Sequence, residues 1–329
     1  MSRAVIILLR LIIIVGIGSL LKSLFSSKSF DIRKESNAHD EFLQFNRNLD
    51  IPESKLKKLK VAYSAIKKRL KKYFNDHPEF TTPVFAKQGS SETGTLIRTY
   101  DDHCDFDIGL YFLEKPNRTY KVIQTHISKA LSGHTALIPK HLEYCTRLQY
   151  QGGFHIDLPV YYKEDNKFYL GCKTGEWEIC DSKLFKDWVA KEINGNDQMI
   201  RIVRYLKAWA DNYHKKRHIK MPNGLVFTIW GLKYYQKHER DDVALVLTVF
   251  RMLKYLKLNL KMTWTCEMPV EPGDNVLDRL DGNQQSNFFI AFKDFGDKGV
   301  MALSKESKVN AMKIWASLLG QRFPQLKQR

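Results

Sequence analysis

Residues 105–112 read DFDIGLYF, and this stretch decides the fold. Apolar residues occupy every second position from Phe106 to Phe112, which is the period of a β-strand with one face on a core. Asp105 and Asp107 therefore point together to the other face. The stretch predicts a sheet that presents a pair of carboxylates.

A second acidic strand follows about 50 residues after Asp107. Residues 155–161 read HIDLPVY, so Asp157 projects from one face and its apolar neighbours in the chain from the other. Pro159 has no N–H to donate, so the strand either lies at an edge or ends there. If the two acidic strands are neighbours, three carboxylates meet on one surface, where they would repel one another unless a cation neutralised them.

A Gly-Ser turn precedes both strands, in residues 88–95, which read QGSSETGT. An Asp-x-Asp pair alone is common on solvated strands, and Gly89-Ser90 alone is compatible with an ordinary turn. Their combination with a third acid is typical of metal-dependent nucleotidyl transfer. Mg²⁺, or Mn²⁺ in its place, suits all-oxygen ligands, and the reaction would be in-line attack of a ribose hydroxyl on an α-phosphate.

These segments together resemble the polymerase β-type nucleotidyltransferases, and within them the cGAS/DncV-like group, or CD-NTases. Residues 175–188, 201–209 and 221–224 are similar to segments in the helical half of that group. The similarity extends over residues 40–320. It implies an α+β fold, with a polymerase β-like mixed-sheet lobe followed by a helical C-terminal lobe.

The resemblance also implies roles for particular residues. Asp105, Asp107 and Asp157 would be the catalytic residues and the metal ligands. The donor nucleotide would contact a second set of residues, namely Gln88, Gly89, Ser90, Lys207 and Asn223. Relatives usually place serine and often an aromatic residue where this chain has Asn223 and Gly224, so base stacking at that corner is not implied.

The function implied by the resemblance is synthesis of a cyclic di- or trinucleotide second messenger. Its substrates would be nucleoside triphosphates, with ATP among them. The product would act on a downstream effector protein, as in bacterial antiphage (CBASS) signalling. Two alternatives stay open: the same chemistry on a linear oligoadenylate, an RNA end or a protein hydroxyl, and a membrane-tethered nucleic-acid-binding module without catalysis.

The chain is strongly basic, with a formal charge of +17 and a pI near 9.5, which indicates anionic partners. Much of the charge lies in residues 55–72, around an apolar stripe at helical spacing that comprises Leu59, Ala62, Ile66, Leu70 and Phe74. We interpret this segment as an amphipathic helix packed across the core. A nucleic-acid activator bound along it is the alternative, but no interleaved aromatic residues or second basic motif support it.

The N-terminal residues 4–21 form an apolar run interrupted by Arg10, near the minimum length for one bilayer crossing. The basic residues that follow favour a cytoplasmic catalytic domain, tethered to the inner membrane. A cleaved signal peptide and a start site downstream of the run are the alternatives. The predicted organisation is an anchor over residues 1–25, a linker over 26–39, a nucleotidyltransferase lobe over 40–175 and a helical lobe over 176–329.

The five cysteines show no Cys-x-x-Cys and no paired Cys/His spacing, which argues against a zinc site. Cys104 lies beside Asp105 but has no identified base, so we expect a buried structural thiol. His103 and His155 flank the acidic strands. Because Mg²⁺ disfavours imidazole ligands, both are left out of the predicted site.

Overall fold

The structure is a computed structural model that describes residues 31–258 and 264–325. The strands are β1 (Val84–Gln88), β2 (Cys104–Phe112), β3 (Lys140–His141), β4 (Thr146–Tyr150), β5 (Phe154–Leu158), β6 (Val160–Glu164), β7 (Lys167–Gly171) and β8 (Trp177–Ile179). The helices are α1 (His39–Asn48), α2 (Glu53–Asn75), α3 (Tyr120–Ala130), α4 (Ser182–Ile193), α5 (Asp197–Arg217), α6 (Gly224–Lys233), α7 (Asp241–Leu258), α8 (Gly282–Leu303) and α9 (Lys308–Leu319). The fold is α+β with a mixed sheet, as predicted.

The sheet is organised around β2, the strand that carries the acidic pair. On one side β2 pairs antiparallel with β1, and on the other it pairs parallel with β5 and then with β6. Pro159 separates β5 from β6, while its carbonyl oxygen accepts a hydrogen bond from the N–H of Leu110 at 2.9 Å. The strand therefore ends at the proline without lying at an edge, since β4 pairs with the other side of β5.

One hydrophobic cluster holds the sheet against α2 and α3. It receives the apolar face of β2, including Phe106 and Leu110, together with Ile123 of α3. The basic helix α2 contributes Ile66 and Leu70 to the same cluster, which confirms that its apolar stripe packs on the core. Burial of this alternating face fixes the register of β2, because a slip of one residue would turn Asp105 and Asp107 into the core.

A second hydrophobic cluster joins the helices that follow the sheet. Trp209 of α5, Trp230 of α6 and Phe292 of α8 are among its buried side chains. Helix α1 also belongs to it, through Phe42 and Phe45. Residues 39–48 therefore pack with the helical lobe, although the sequence places nearly all of them in the nucleotidyltransferase lobe.

The predicted membrane anchor over residues 1–25 lies outside the described residues and stays a prediction. Among the helices of residues 31–258 and 264–325, none has both the length and the apolar character that a bilayer crossing requires.

Candidate active site

The three aspartates lie on two neighbouring strands, in register. In the parallel pair of β2 and β5, Asp107 is the direct partner of Asp157, and Asp105 is the partner of His155. Adjacent strands are about 4.8 Å apart, and residues two apart share a face, so the three carboxylates emerge on one surface. Asp157 is only 8% exposed, whereas Asp105 is exposed to solvent.

Burial and the crowding of three carboxylates together determine the electrostatics of this group. Burial, followed by the charges of Asp157 and Asp105, raises the pKa of Asp107 to about 7. A cation bound beside the three carboxylates would favour the ionised form of Asp107, and the carboxylates would in turn favour the cation.

Arg147 partly neutralises the aspartates, and the sequence did not single it out. It lies on β4 as the register partner of Asp157. Its guanidinium donates two hydrogen bonds to the Asp157 carboxylate, each at 2.7 Å, and its Nη2 lies 3.7 Å from Asp105 Oδ2. The period-2 pattern of β4 could have shown that Arg147 faces away from the core. No pattern shows that β4 lies beside β5.

His155, which the sequence analysis excluded, also reaches this group. Its Nδ1 lies 3.0 Å from Asp105 Oδ1. We left His155 out because imidazole is a poor ligand for magnesium. Its contact with Asp105 is a hydrogen bond to a carboxylate, which orients that carboxylate. Cys104, by contrast, is buried, and burial raises its pKa to about 11, as expected for a structural thiol.

The Gly-Ser turn lies directly against Asp107. Gly89 follows Gln88, the partner of Asp107 in the pairing of β1 with β2, and its φ is +72°. A Cβ at Gly89 would lie 2.0 Å from Asp107 Oδ2. Both the left-handed backbone and the close approach therefore require glycine here, and Ser90 begins the loop beside the carboxylate.

Lys207 faces the end of this loop from α5. Its ammonium donates to the carbonyl oxygen of Thr95 at 3.2 Å and to the Thr95 hydroxyl at 2.9 Å. Burial, followed by the charge of Arg204, lowers the pKa of Lys207 to about 7. A cation so weakly compensated by the protein is suited to an anionic ligand.

Asn223 and Gly224 lie at the start of α6, next to Lys207. The Asn223 side-chain oxygen caps the helix by accepting from the N–H of Val226 at 3.1 Å. A Cβ at Gly224 would lie 3.3 Å from Lys207 Cε, so the glycine leaves room for the lysine side chain.

Gln88, directly before the turn, is held by hydrogen bonds to protein side chains. Its Nε2 donates to the Tyr161 hydroxyl at 2.9 Å, while its Oε1 accepts from Tyr111 at 2.7 Å and from Ser182 at 3.1 Å. Both ends of the amide are bound to protein side chains. Gln88 therefore positions the turn, and its contact with a nucleotide stays a prediction.

Comparison with known proteins agrees with this geometry. Residues 83–161 match the family described as the nucleotidyltransferase domain of cyclic GMP-AMP synthase DncV-like proteins. That range contains the Gly-Ser turn and all three aspartates. Over these residues the chain is therefore similar to the nucleotidyltransferase domains of the cGAS/DncV-like group, the CD-NTases.

Particular relatives are similar to this chain in sequence and in fold. A cyclic GMP-AMP synthase of Escherichia albertii is 27% identical over 189 residues, which are 54% of this chain and 42% of that protein. The matched segment thus spans less than half of the curated relative.

Solved structures share the fold over most of the chain. DncV of Vibrio cholerae, in a 3′-deoxy ATP bound form, has a TM-score of 0.76 at 15% identity, with 88% of this chain and 96% of that chain covered. The Bradyrhizobium diazoefficiens CD-NTase CdnG, in complex with GTP, has a TM-score of 0.71 at 13% identity, with coverage of 86% and 96%.

Proposed function

We propose that this protein is a metal-dependent nucleotidyltransferase that joins nucleoside triphosphates into a cyclic di- or trinucleotide second messenger. The observation that carries the proposal is the direct pairing of Asp107 with Asp157 on parallel strands, with Gly89 in close contact with the Asp107 carboxylate. Acids and phosphate-binding loop thereby share one surface, as nucleotidyl transfer requires.

Asp105, Asp107 and Asp157 would hold Mg²⁺ or Mn²⁺. Their oxygen donors are those that these ions prefer, and three carboxylates face the single guanidinium of Arg147. When bound, the ions would supply stabilisation of the entering and departing oxygens in an in-line displacement.

The protein groups then have distinct tasks. Asp157 would lie nearest the attacking ribose hydroxyl and favour its deprotonation. The new bond joins this oxygen to the α-phosphorus of the donor. The bond from the α-phosphorus to the bridging oxygen breaks, and pyrophosphate leaves.

The donor triphosphate would lie between the Gly-Ser turn and Lys207. Gly89 and Ser90 would donate backbone N–H groups and a hydroxyl to its oxygens. The pKa of Lys207 is about 7 in the nucleotide-free protein. A triphosphate nearby would raise it, so that Lys207 binds the phosphates as an ammonium ion.

The relatives favour a cyclic product. The Escherichia albertii protein carries the name cyclic GMP-AMP synthase, and DncV has been solved with the linear intermediate pppA(3′,5′)pG at a TM-score of 0.75 to this chain. We extend this product class to the present chain, with ATP among its substrates. Its biological role would be antiviral signalling of the CBASS type, through an effector protein that binds the product in the cytoplasm.

The test is incubation of the purified protein with all four labelled nucleoside triphosphates and either Mg²⁺ or Mn²⁺. Mass spectrometry after phosphatase treatment should show cyclic products, and Asp105→Asn with Asp107→Asn should abolish them. Asp165→Asn makes the same chemical change at an exposed turn and should retain activity. Exclusively linear products would redirect the proposal to another acceptor. Salt-sensitive nucleic-acid binding without any pyrophosphate release would instead support the binding module.

A further inference from the structure

A second group of ligand-type side chains lies outside the nucleotidyltransferase site. His77 and Glu79 follow the end of α2, and His126 lies on α3. Within residues 31–258 and 264–325, each of these three side chains has one potential metal-ligating atom that lies within 4.8 Å of the other two. His126 lies almost fifty positions after the other two in sequence, so the fold brings the three together.

Tyr73 orients both imidazole rings of this group. His77 Nδ1–H donates to the Tyr73 carbonyl oxygen at 2.7 Å, and His126 Nδ1 lies 3.1 Å from the Tyr73 hydroxyl. Because a carbonyl can only accept, the proton of a neutral His77 is on Nδ1 and the lone pair on Nε2. Histidine ligands of metals are commonly held in this way, through their second nitrogen.

The rings are also fixed by packing. His77 stacks on Tyr73 with ring centroids 4.0 Å apart, and His126 lies 4.7 Å from the ring of Phe80. Both histidines are half-buried, whereas Glu79 is exposed. Burial, followed by the charge of Lys129, lowers the pKa of His126.

We propose that His77, Glu79 and His126 form a second metal site, which takes a transition-series divalent cation, with Zn²⁺ as the best fit. Two imidazoles and one carboxylate are a donor set that Zn²⁺ accepts, with water in the fourth position, whereas Mg²⁺ prefers oxygen ligands. Ligands of a tetrahedral Zn²⁺ lie roughly 3.3 Å apart. The limit of 4.8 Å therefore leaves only a small side-chain adjustment.

The proposed site would link two helices of the sheet lobe. It joins the C-terminal end of the basic helix α2 to α3, and both helices pack in the cluster that supports β2. A metal bound there would stabilise the lobe that carries the aspartates. This inference does not depend on the catalytic proposal, because it uses none of the same residues.

The experiment is equilibrium dialysis of the full chain against Zn²⁺ in excess Mg²⁺, followed by metal analysis. We expect one Zn²⁺ per chain and a rise of several degrees in Tm. The variant with His77→Gln and His126→Gln should lose both effects while its far-UV circular dichroism is unchanged. His214→Gln, at an exposed histidine of α5, should retain them.

Two further measurements keep the proposal open to refutation. The variant with Asp105→Asn and Asp107→Asn should bind Zn²⁺ as well as the wild type, and loss of binding there would move the ion to the catalytic carboxylates. X-ray absorption of the zinc-loaded wild type should show nitrogen and oxygen ligands with imidazole scattering. A sulfur-containing shell, no retained zinc, or full zinc binding by the folded double-histidine variant would each overturn the proposal.

Discussion

Asp107→Asn should stabilise the metal-free protein at alkaline pH, although it removes a predicted catalytic group. The folded-state pKa of Asp107 is about 7, compared with an ordinary value of 3.8. An acid whose pKa is raised by folding favours the folded state most when it is protonated. That contribution is complete below pH 3.8 and is lost as the pH rises from 3.8 to about 7.

The magnitude follows from the size of this rise. A difference of about three pH units at about 1.4 kcal/mol per unit corresponds to roughly 4 kcal/mol. Asparagine has the same shape without the charge, so it should avoid the cost. We expect the variant to exceed the wild type in free energy of unfolding by roughly 2 to 4 kcal/mol at pH 8. The advantage should shrink towards pH 5.

Urea denaturation in EDTA, followed by circular dichroism at several pH values, measures this difference. Asp165→Asn, at an exposed turn, is the matched control and should show no such pH dependence. Addition of Mg²⁺ should stabilise the wild type more than Asp107→Asn. The reasoning would be refuted if Asp107→Asn were less stable than the wild type at pH 8. It would also be refuted if the two differed in free energy of unfolding by the same amount at every pH.

Three further substitutions test other parts of the site. Gly89→Ala places a methyl group 2.0 Å from Asp107 Oδ2 at a φ of +72°, so it should destabilise the fold by about 1 to 3 kcal/mol in thermal unfolding and abolish nucleotide incorporation. Arg147→Gln leaves the buried Asp157 carboxylate without its ion pair, and calorimetry should show a loss of about 3 kcal/mol in EDTA, partly recovered with Mg²⁺; no loss would contradict the assigned pairing. Lys207→Met should raise KM for the donor triphosphate at least tenfold while Tm is not lowered, and an unchanged KM would remove Lys207 from the donor site.

The two acidic strands could be predicted from the alternation of residues in the sequence. The strict alternation in β2 showed which face of the strand is buried. The resemblance to the cGAS/DncV-like group implied that Asp157 joins Asp105 and Asp107, and β5 does pair with β2. The buried face of a strand depends on local periodicity, which can be read directly from the sequence.

The features that were missed depend on which elements are neighbours in space. Arg147 became part of the site because β4 pairs with β5, and no local pattern carries that information. Lys55 was expected to be among the solvated charges of α2. It is buried instead, and its ammonium donates to the carbonyl oxygens of Asp102 and Gly153. Likewise, the meeting of His77 with His126 follows from the packing of α2 against α3.

The most direct test of the account is where a divalent cation binds. Crystals grown with Mn²⁺ and a non-hydrolysable ATP analogue would locate the ion by its anomalous scattering. We expect manganese within roughly 2.2 Å of carboxylate oxygens from Asp105, Asp107 and Asp157, next to the phosphates held by Gly89 and Ser90. Manganese bound elsewhere, with the three carboxylates free of metal in the presence of the nucleotide, would contradict the account.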